Sequence, residues 1–213
     1  FEVHEDLSAG LEVVHDVTIH TRLSTGLVIE VPAFLLYELA EEHNTLKIRR
    51  LRAVWDLRRR SISAITAGPR GLWTLCAISL RMLRVQGLGG VLGYSRGLVA
   101  GIFGAGQTTL ERLAAAVRDG DLAAAESLFV ADASVELPVG SPASVRDFLA
   151  ELGPGATLHT SHATSAGWLT AFRFRVAGGR HDGAHGVAFL AFDPATRKLS
   201  SLRCFTRPVP QSR

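Results

Sequence analysis

The chain has 213 residues, 47% of them hydrophobic, and a formal net charge of +3. This length permits one large or two small domains with packed cores. The small charge does not decide for or against nucleic-acid binding, but no aromatic-plus-basic motif accompanies the arginines, so we expect no nucleic-acid partner. Cys76 and Cys204 fit no disulfide framework, and we predict two reduced, buried thiols in a cytoplasmic protein.

The N-terminal residues 1–60 are predicted to form strands. They start at Phe1 without a methionine or a signal peptide, which we interpret as the interior of a longer protein. Strand alternation divides residues 13–22 between two faces. One face carries Val13, His15, Val17 and Ile19, and the other carries Asp16, Thr18, His20 and Arg22. His15 is the candidate to orient or protonate a ligand, although a lone histidine in a strand is more often structural. For the opposite face we favour solvent or an interface.

Residues 61–106 have a different composition and are predicted to be a helical connector. Pro69 opens a helix that reaches about Gln86, and a second helix follows at 88–103. The apolar stripe of the first helix is predicted to be Leu72, Leu75, Cys76, Met82 and Leu83. In the second helix, glycines at 89, 93, 97 and 101 form a ridge that permits close packing. Interrupting arginines exclude a membrane span. We favour packing on the chain's own domain over contact of 69–103 with a membrane surface.

Residues 107–208 are predicted to form a second domain, and 209–213 a tail. A helix runs from Thr108 or Thr109 to about Arg118, and Asp121 caps the next helix. The remaining predicted elements are a strand at 135–137, a helix at 145–152, and four strands, three of them at 168–176, 187–192 and 198–206.

Three short segments of the N-terminal part recur in the C-terminal part. Ser8-Ala9-Gly10 parallels Ser165-Ala166-Gly167, Gly26 lies at the same offset from Gly183, and residues 48–54 parallel 199–205, with Arg52 at Arg203. Each match is short, but their common order predicts a repeated unit. The first copy contains only the strand half of that unit.

The segment from Ser127 to Pro142 resembles the corresponding segment of bacterial ketosteroid isomerases, in the nuclear transport factor 2-like (SnoaL-like) superfamily. The order of elements in the C-terminal part resembles that superfamily too. The resemblance implies an α+β fold in which a cone-shaped, curved antiparallel sheet wraps on helices. Together with the repeat, it predicts two such domains in tandem, the first truncated.

The same resemblance argues against isomerase chemistry in the second domain. That chemistry needs an aspartate base, and a tyrosine and a protonated aspartate that hydrogen-bond the dienolate oxygen. By position, the base falls on Leu137, the tyrosine on Leu113, and the second aspartate on Ala188 or Phe189. None of these side chains can titrate. We expect the neighbouring Glu136 to be solvated on the opposite face rather than to replace the base.

The resemblance therefore predicts a non-catalytic protein that binds a small apolar ligand in a cone, which its own side chains could instead fill. The residues predicted to line the cone are Leu113, Leu137, Trp168, Phe172 and Phe174. One alternative is an isomerase, cyclase or epoxide-hydrolase-type enzyme whose acid and base groups lie in the first domain. Another is a structural interaction module. The two assemblies considered are a homodimer and an intramolecular pseudo-dimer.

Neither a cofactor nor a metal is expected. His181, Asp182 and His185 suggest a metal site, but two histidines four residues apart favour metal binding on a helix, and Gly183 makes this segment a hairpin loop. Gly104-Ala105-Gly106 follows no strand and lacks a dinucleotide-binding pattern.

Overall fold

A computed structural model describes residues 2–22, 28–56, 100–207 and, between 73 and 92, positions 73, 76, 80–81, 83–85, 87–89 and 92. The N-terminal strands are β1 (Glu2–Ala9), β2 (Glu12–Arg22), β3 (Val28–Glu42) and β4 (Thr45–Val54). The helices are α1 (Gly104–Asp119), α2 (Leu122–Ser127) and α3 (Val145–Leu152). The C-terminal strands are β5 (Phe129–Glu136), β6 (Pro142–Ala143), β7 (Thr157–Ala166), β8 (Leu169–Ala177), β9 (His185–Phe192) and β10 (Leu199–Thr206).

Side-chain caps set the starts of α2 and α3. At α3, the Ser144 hydroxyl accepts the Asp147 N–H while the Asp147 carboxylate accepts the Ser144 N–H, a complete capping box. The Asp121 carboxylate caps α2 by accepting the Ala124 N–H at 2.9 Å, as predicted. The predicted start of α1 was wrong. The helix begins at Gly104, and the Thr109 hydroxyl instead donates to the carbonyl one turn earlier.

Two sheets make up the molecule. The first has the order β1-β2-β3-β4, and the second β6-β5-β10-β9-β8-β7. The inner face of the second sheet packs on α1 and α3 in one hydrophobic core that includes Leu110, Phe148, Phe172, Leu190 and Leu202. Gly106 lets α1 approach β8 closely, because a Cβ there would overlap the Thr170 hydroxyl. The architecture is α+β, and the C-terminal order of elements agrees with the prediction apart from the short β6. The second sheet is mixed rather than antiparallel, because β10 pairs with β5 in parallel.

The first hairpins of the two sheets have the same geometry. Ala9 pairs with Glu12 across a two-residue turn, and Ala166 pairs with Leu169 across another. The first turn residue is Gly10 in one hairpin, with φ 57°, and Gly167 in the other, with φ 56°. Both turns therefore need a left-handed residue at the position that glycine fills most easily.

The last hairpins also agree in register. In β4, Arg50 pairs with Glu38 and Ile48 with Leu39, so Arg49 is bulged. In β10, Ser201 pairs with Ala191 and Leu199 with Phe192, so Ser200 is bulged. The sequence alignment that matches Arg52 with Arg203 also matches Arg49 with Ser200, so the two bulges lie at equivalent positions. The tandem interpretation, with its truncated first copy, remains a prediction.

The two sheets pack face to face through a second hydrophobic core. The first sheet contributes Leu7, Val14, Phe34, Leu36 and Val54, and the second contributes Ala171, Val187, Phe189 and Phe205. In three salt bridges at this interface, the acid comes from the first sheet and the arginine from β8, β10 or the residue after β10. The pairs are Asp16 with Arg173, Glu12 with Arg203, and Glu5 with Arg207. The face of Asp16, predicted as solvent or interface, is an interface at that residue.

All described positions between 73 and 87 are helical and exposed. Cys76 and Leu83, placed in the predicted buried stripe, are thus exposed, while Leu72, Leu75 and Met82 lie outside the described residues. Of the predicted glycine ridge, Gly89 faces open space, and only Gly101 meets a neighbour, the Gly167 carbonyl. Gly93 and Gly97 lie outside the described residues. In the described part of the chain, no helix is long and apolar enough to cross a membrane.

Candidate functional site

The positions that correspond to isomerase catalytic groups lie inside the C-terminal core. Leu113 on α1 is 0% exposed, and Leu137, just after β5, is 4% exposed. Residues 188 and 189 face opposite ways: Ala188 belongs to the core under the helices, and Phe189 to the core between the sheets. Ala188 is therefore the residue that faces the cone. The cone positions 113, 137 and 188 carry only hydrocarbon side chains.

The five residues predicted to line the cone come together in space. Leu113, Leu137, Phe172 and Phe174 are buried in one core, and Trp168, in the turn before β8, packs against it while partly exposed. The four buried side chains have almost no solvent-accessible area, so none of them borders a void large enough for a water molecule. Two of the clefts on the described surface have volumes of about 490 and 380 Å³. Both lie near α3, and none of the five residues lines either one.

Glu136 lies on the face opposite the cone, as predicted, because Val135 and Leu137 on either side of it belong to the core under the helices. Its side chain is 19% exposed, accepts the Gly140 N–H at 2.9 Å, and lies 3.4 Å from Arg203 Nε. Arg203 also binds Glu12 through both of its terminal nitrogens. The hydrogen bond to Glu12 is the main reason that the pKa of Arg203 is raised. Glu136 is thus a structural partner of Arg203 rather than a solvated side chain.

The loop that suggested a metal site separates its three candidate ligands. His181 lies 3.3 Å from Glu151, Asp182 accepts the Gly178 N–H, and His185 Nδ1 lies 3.1 Å from the Gly183 carbonyl. Among the described residues, no group of three or more His, Cys, Asp or Glu side chains could hold a metal ion.

A polar cluster lies on the face of the first sheet that points away from the second sheet. His15 on β2 hydrogen-bonds through Nδ1 to the Asp6 carboxylate on β1. The Tyr37 ring on β3 meets the His15 ring edge-on, with 5.1 Å between centroids. The carboxylate favours the tautomer with its proton on Nδ1, which leaves Nε2 as a potential proton acceptor. This arrangement can bind a small molecule or accept a proton from it.

Sequence reasoning found His15 but assigned no role to Asp6 or Tyr37. The signal for Asp6 was present in the hairpin. Once Gly10 and Leu11 form a two-residue turn, counting back from the Ala9–Glu12 pair puts Asp6 opposite His15. Tyr37 pairs with Val13 on a strand whose register the sequence did not fix.

The two cysteines differ in environment. Cys204 is buried as predicted, and burial, reinforced by the Glu136 charge, raises the pKa of its thiol far above the usual range. Cys76 is exposed, so its predicted burial was wrong. We expect iodoacetamide to alkylate Cys76 but not Cys204 in the native protein, and both in urea, because the thiolate is the reactive form. Mass spectrometry of tryptic peptides measures this, and native labelling of Cys204 would contradict its burial.

Solved structures include several that are similar to this chain. One is a putative ketosteroid isomerase from Kribbella flavida, which is 14% identical to this chain with a TM-score of 0.41. The match covers 53% of this chain and 85% of the isomerase chain. Another is IdmH, a putative polyketide cyclase from Streptomyces antibioticus, which is 18% identical with a TM-score of 0.36. The match covers 47% of this chain and 90% of the IdmH chain.

The third similar structure is the epoxide hydrolase/cyclase-like enzyme SalBIII, which functions in pyran ring formation in salinomycin. It is 18% identical to this chain with a TM-score of 0.40, and the match covers 47% of this chain and 89% of the SalBIII chain. No protein-family profile and no curated protein sequence matches the chain. The similar structures thus include one that is named a putative ketosteroid isomerase, the group that the segment Ser127–Pro142 resembles. Their activities are not carried over to this chain.

Proposed function

We propose that the C-terminal domain is a non-catalytic, structural member of the ketosteroid-isomerase-like (SnoaL-like) group. The observation that carries this proposal is the buried hydrocarbon at Leu113, Leu137 and Ala188. Proton transfer needs a titratable group within hydrogen-bond reach of the reacting atom, and these positions supply none. Because the same residues have almost no accessible area, the cone is filled by its own side chains.

We further propose that the two sheets form an intramolecular pseudo-dimer of tandem domains, with the first copy contributing its strand half. Three features support this: the common strand order of β1–β4 and β7–β10, the matched glycine turns, and the matched bulges at Arg49 and Ser200. The interface also pairs Asp16 with Arg173, which are equivalent positions 157 residues apart. Contact between equivalent positions is what a two-fold arrangement produces.

An enzyme with its acid and base groups in the first domain is the second candidate function. The His15–Asp6 hydrogen bond favours it, because an oriented imidazole is a common general base. The Tyr37 hydroxyl would then be the donor for a developing oxyanion. Apolar neighbours on the same face, such as Val13 and Leu35, suit a small apolar substrate.

One assay separates these functions. We expect the full chain to show no isomerisation of a Δ5-3-ketosteroid, followed by ultraviolet absorbance. Isomerisation that survives His15→Gln would overturn the non-catalytic C-terminal domain, whereas isomerisation abolished by His15→Gln and by Tyr37→Phe would support the second candidate. His20→Gln is the matched control, since His20 lies on the opposite face of β2.

Ligand binding in the cone is tested separately. A steroid that raises the melting temperature of the His15→Gln variant would bind elsewhere than at His15. If Phe172→Trp abolished that rise, the small-apolar-ligand reading of Leu113, Leu137, Trp168, Phe172 and Phe174 would replace the structural one. We expect no rise, because the described side chains already fill this space.

A further inference from the structure

The connector presents an uncovered apolar stripe. Trp73, Leu80 and Leu83 are 70%, 50% and 40% exposed, and Cys76 between them is also exposed. Residues 73, 76, 80 and 83 are spaced three, four and three apart, so on a helix they lie on one face. Exposed apolar patches that are contiguous, rather than single side chains, mark interaction sites.

Charge indicates what kind of surface would cover this stripe. Arg81 and Arg84 are exposed on the same helix. The sequence from 57 to 110 contains seven arginines and no aspartate or glutamate. A second copy of the stripe would bring arginines together with no acid in the segment to pair with them. An anionic lipid surface supplies both the apolar layer and the opposite charge.

The residue types suit the depth of a membrane interface. Tryptophan is enriched at headgroup level because its ring is apolar and its N–H polar. Arginine can bury its stem while its guanidinium reaches phosphate. Leu88 and Leu92 are also exposed beyond the stripe. Since no described helix is long and apolar enough to span a bilayer, the geometry fits a helix lying on the surface rather than crossing it.

We propose that the connector binds an anionic membrane surface, with Trp73, Cys76, Leu80 and Leu83 in the interface and Arg81 and Arg84 at the headgroups. This inference is independent of the function proposed above for the C-terminal domain.

Cys76 provides a probe inside the stripe, because Cys204 is buried and unreactive. The full chain labelled at Cys76 with an environment-sensitive nitrobenzoxadiazole dye is mixed with vesicles of equimolar phosphatidylglycerol and phosphatidylcholine. We expect a blue shift, increased emission and co-sedimentation at low salt, all weakening as salt screens the arginines. Unlabelled protein should co-sediment equally, which excludes an effect of the dye.

Variants test the two halves of the proposal. Changing Arg81 and Arg84 to Gln should weaken partitioning about five-fold for each arginine, whereas the same change at the exposed Arg49 and Arg50 on β4 should have no effect. Leu80→Ser should weaken binding, and Leu46→Ser, at a similarly exposed leucine on β4, should not. Circular dichroism confirms that each variant is folded.

Three results would overturn the proposal. The first is no binding to the anionic vesicles at low salt. The second is equal binding to pure phosphatidylcholine that the arginine changes leave unaltered. The third is a blue shift without vesicles that grows with protein concentration, which would assign the stripe to contact between copies of the chain.

Discussion

Replacing Arg173 by methionine is expected to lower the free energy of unfolding by about 3–5 kcal/mol. Asp16, its partner across the two sheets, has a side chain that is 5% exposed, and Arg173 is 28% exposed. Two guanidinium nitrogens donate to the two Asp16 oxygens. Without the guanidinium, a buried carboxylate is left unpaired, and its desolvation is no longer offset. Urea unfolding followed by circular dichroism measures the loss.

The control is a change of the same kind two residues along the strand. Arg175 lies on the same face of β8 but is exposed, so Arg175→Met should change stability little. The double variant Asp16→Leu with Arg173→Met should recover most of the loss, because it removes both charges. If Arg173→Met cost no more than Arg175→Met, the ion pair would not contribute to holding the sheets together.

Replacing Leu137 by aspartate is expected to destabilise the protein by about 4 kcal/mol or more. Truncating a buried leucine alone costs about 2–5 kcal/mol, and a carboxylate in an apolar core adds a desolvation penalty. The same change therefore places the family's base in a site that cannot solvate it. The matched control is Leu46→Asp on β4, where the side chain is 59% exposed.

The readout is the urea midpoint together with its slope. A lower midpoint with an unchanged slope indicates a less stable native state that is otherwise intact. A Leu137→Asp variant as stable as Leu46→Asp would mean that the cone admits water. That outcome would contradict the filled cone and, with it, the structural role proposed for the C-terminal domain.

Local signals explain the parts of the fold that the sequence predicted well. Helix α3 begins after Ser144 and ends before Gly153, as predicted, because its capping box and terminating glycine act within a few residues. The strand alternation around Phe172 likewise placed Phe172 and Phe174 in the core. The start of α1 was misplaced because threonine hydroxyls can satisfy a carbonyl inside a helix as well as cap it.

Long-range contacts could not be predicted from the same signals. The Asp16–Arg173 pair spans 157 residues, and nothing near either residue indicates the other. The role of Glu136 was missed for the same reason, since Arg203 reaches it from β10. In the candidate site, His15 was found from its own strand, but its Asp6 partner depends on hairpin register. Exposure of Trp73 and Leu80 depends on what the rest of the chain leaves uncovered.

The opposite charges of Asp16 and Arg173 at the sheet interface have a consequence for how the two halves of the chain could evolve. In a two-fold symmetric homodimer, both subunits use the same surface patch. Where a residue of that patch contacts the same residue of the other subunit, a buried charge would therefore face an identical charge. Positions 16 and 173 carry opposite charges, so two identical C-terminal halves paired in this way would set Arg173 against Arg173. In the proposed pseudo-dimer both halves are encoded in one chain, so each face can diverge freely. Such divergence makes the association of the halves obligatory and hard to reverse by gene fission.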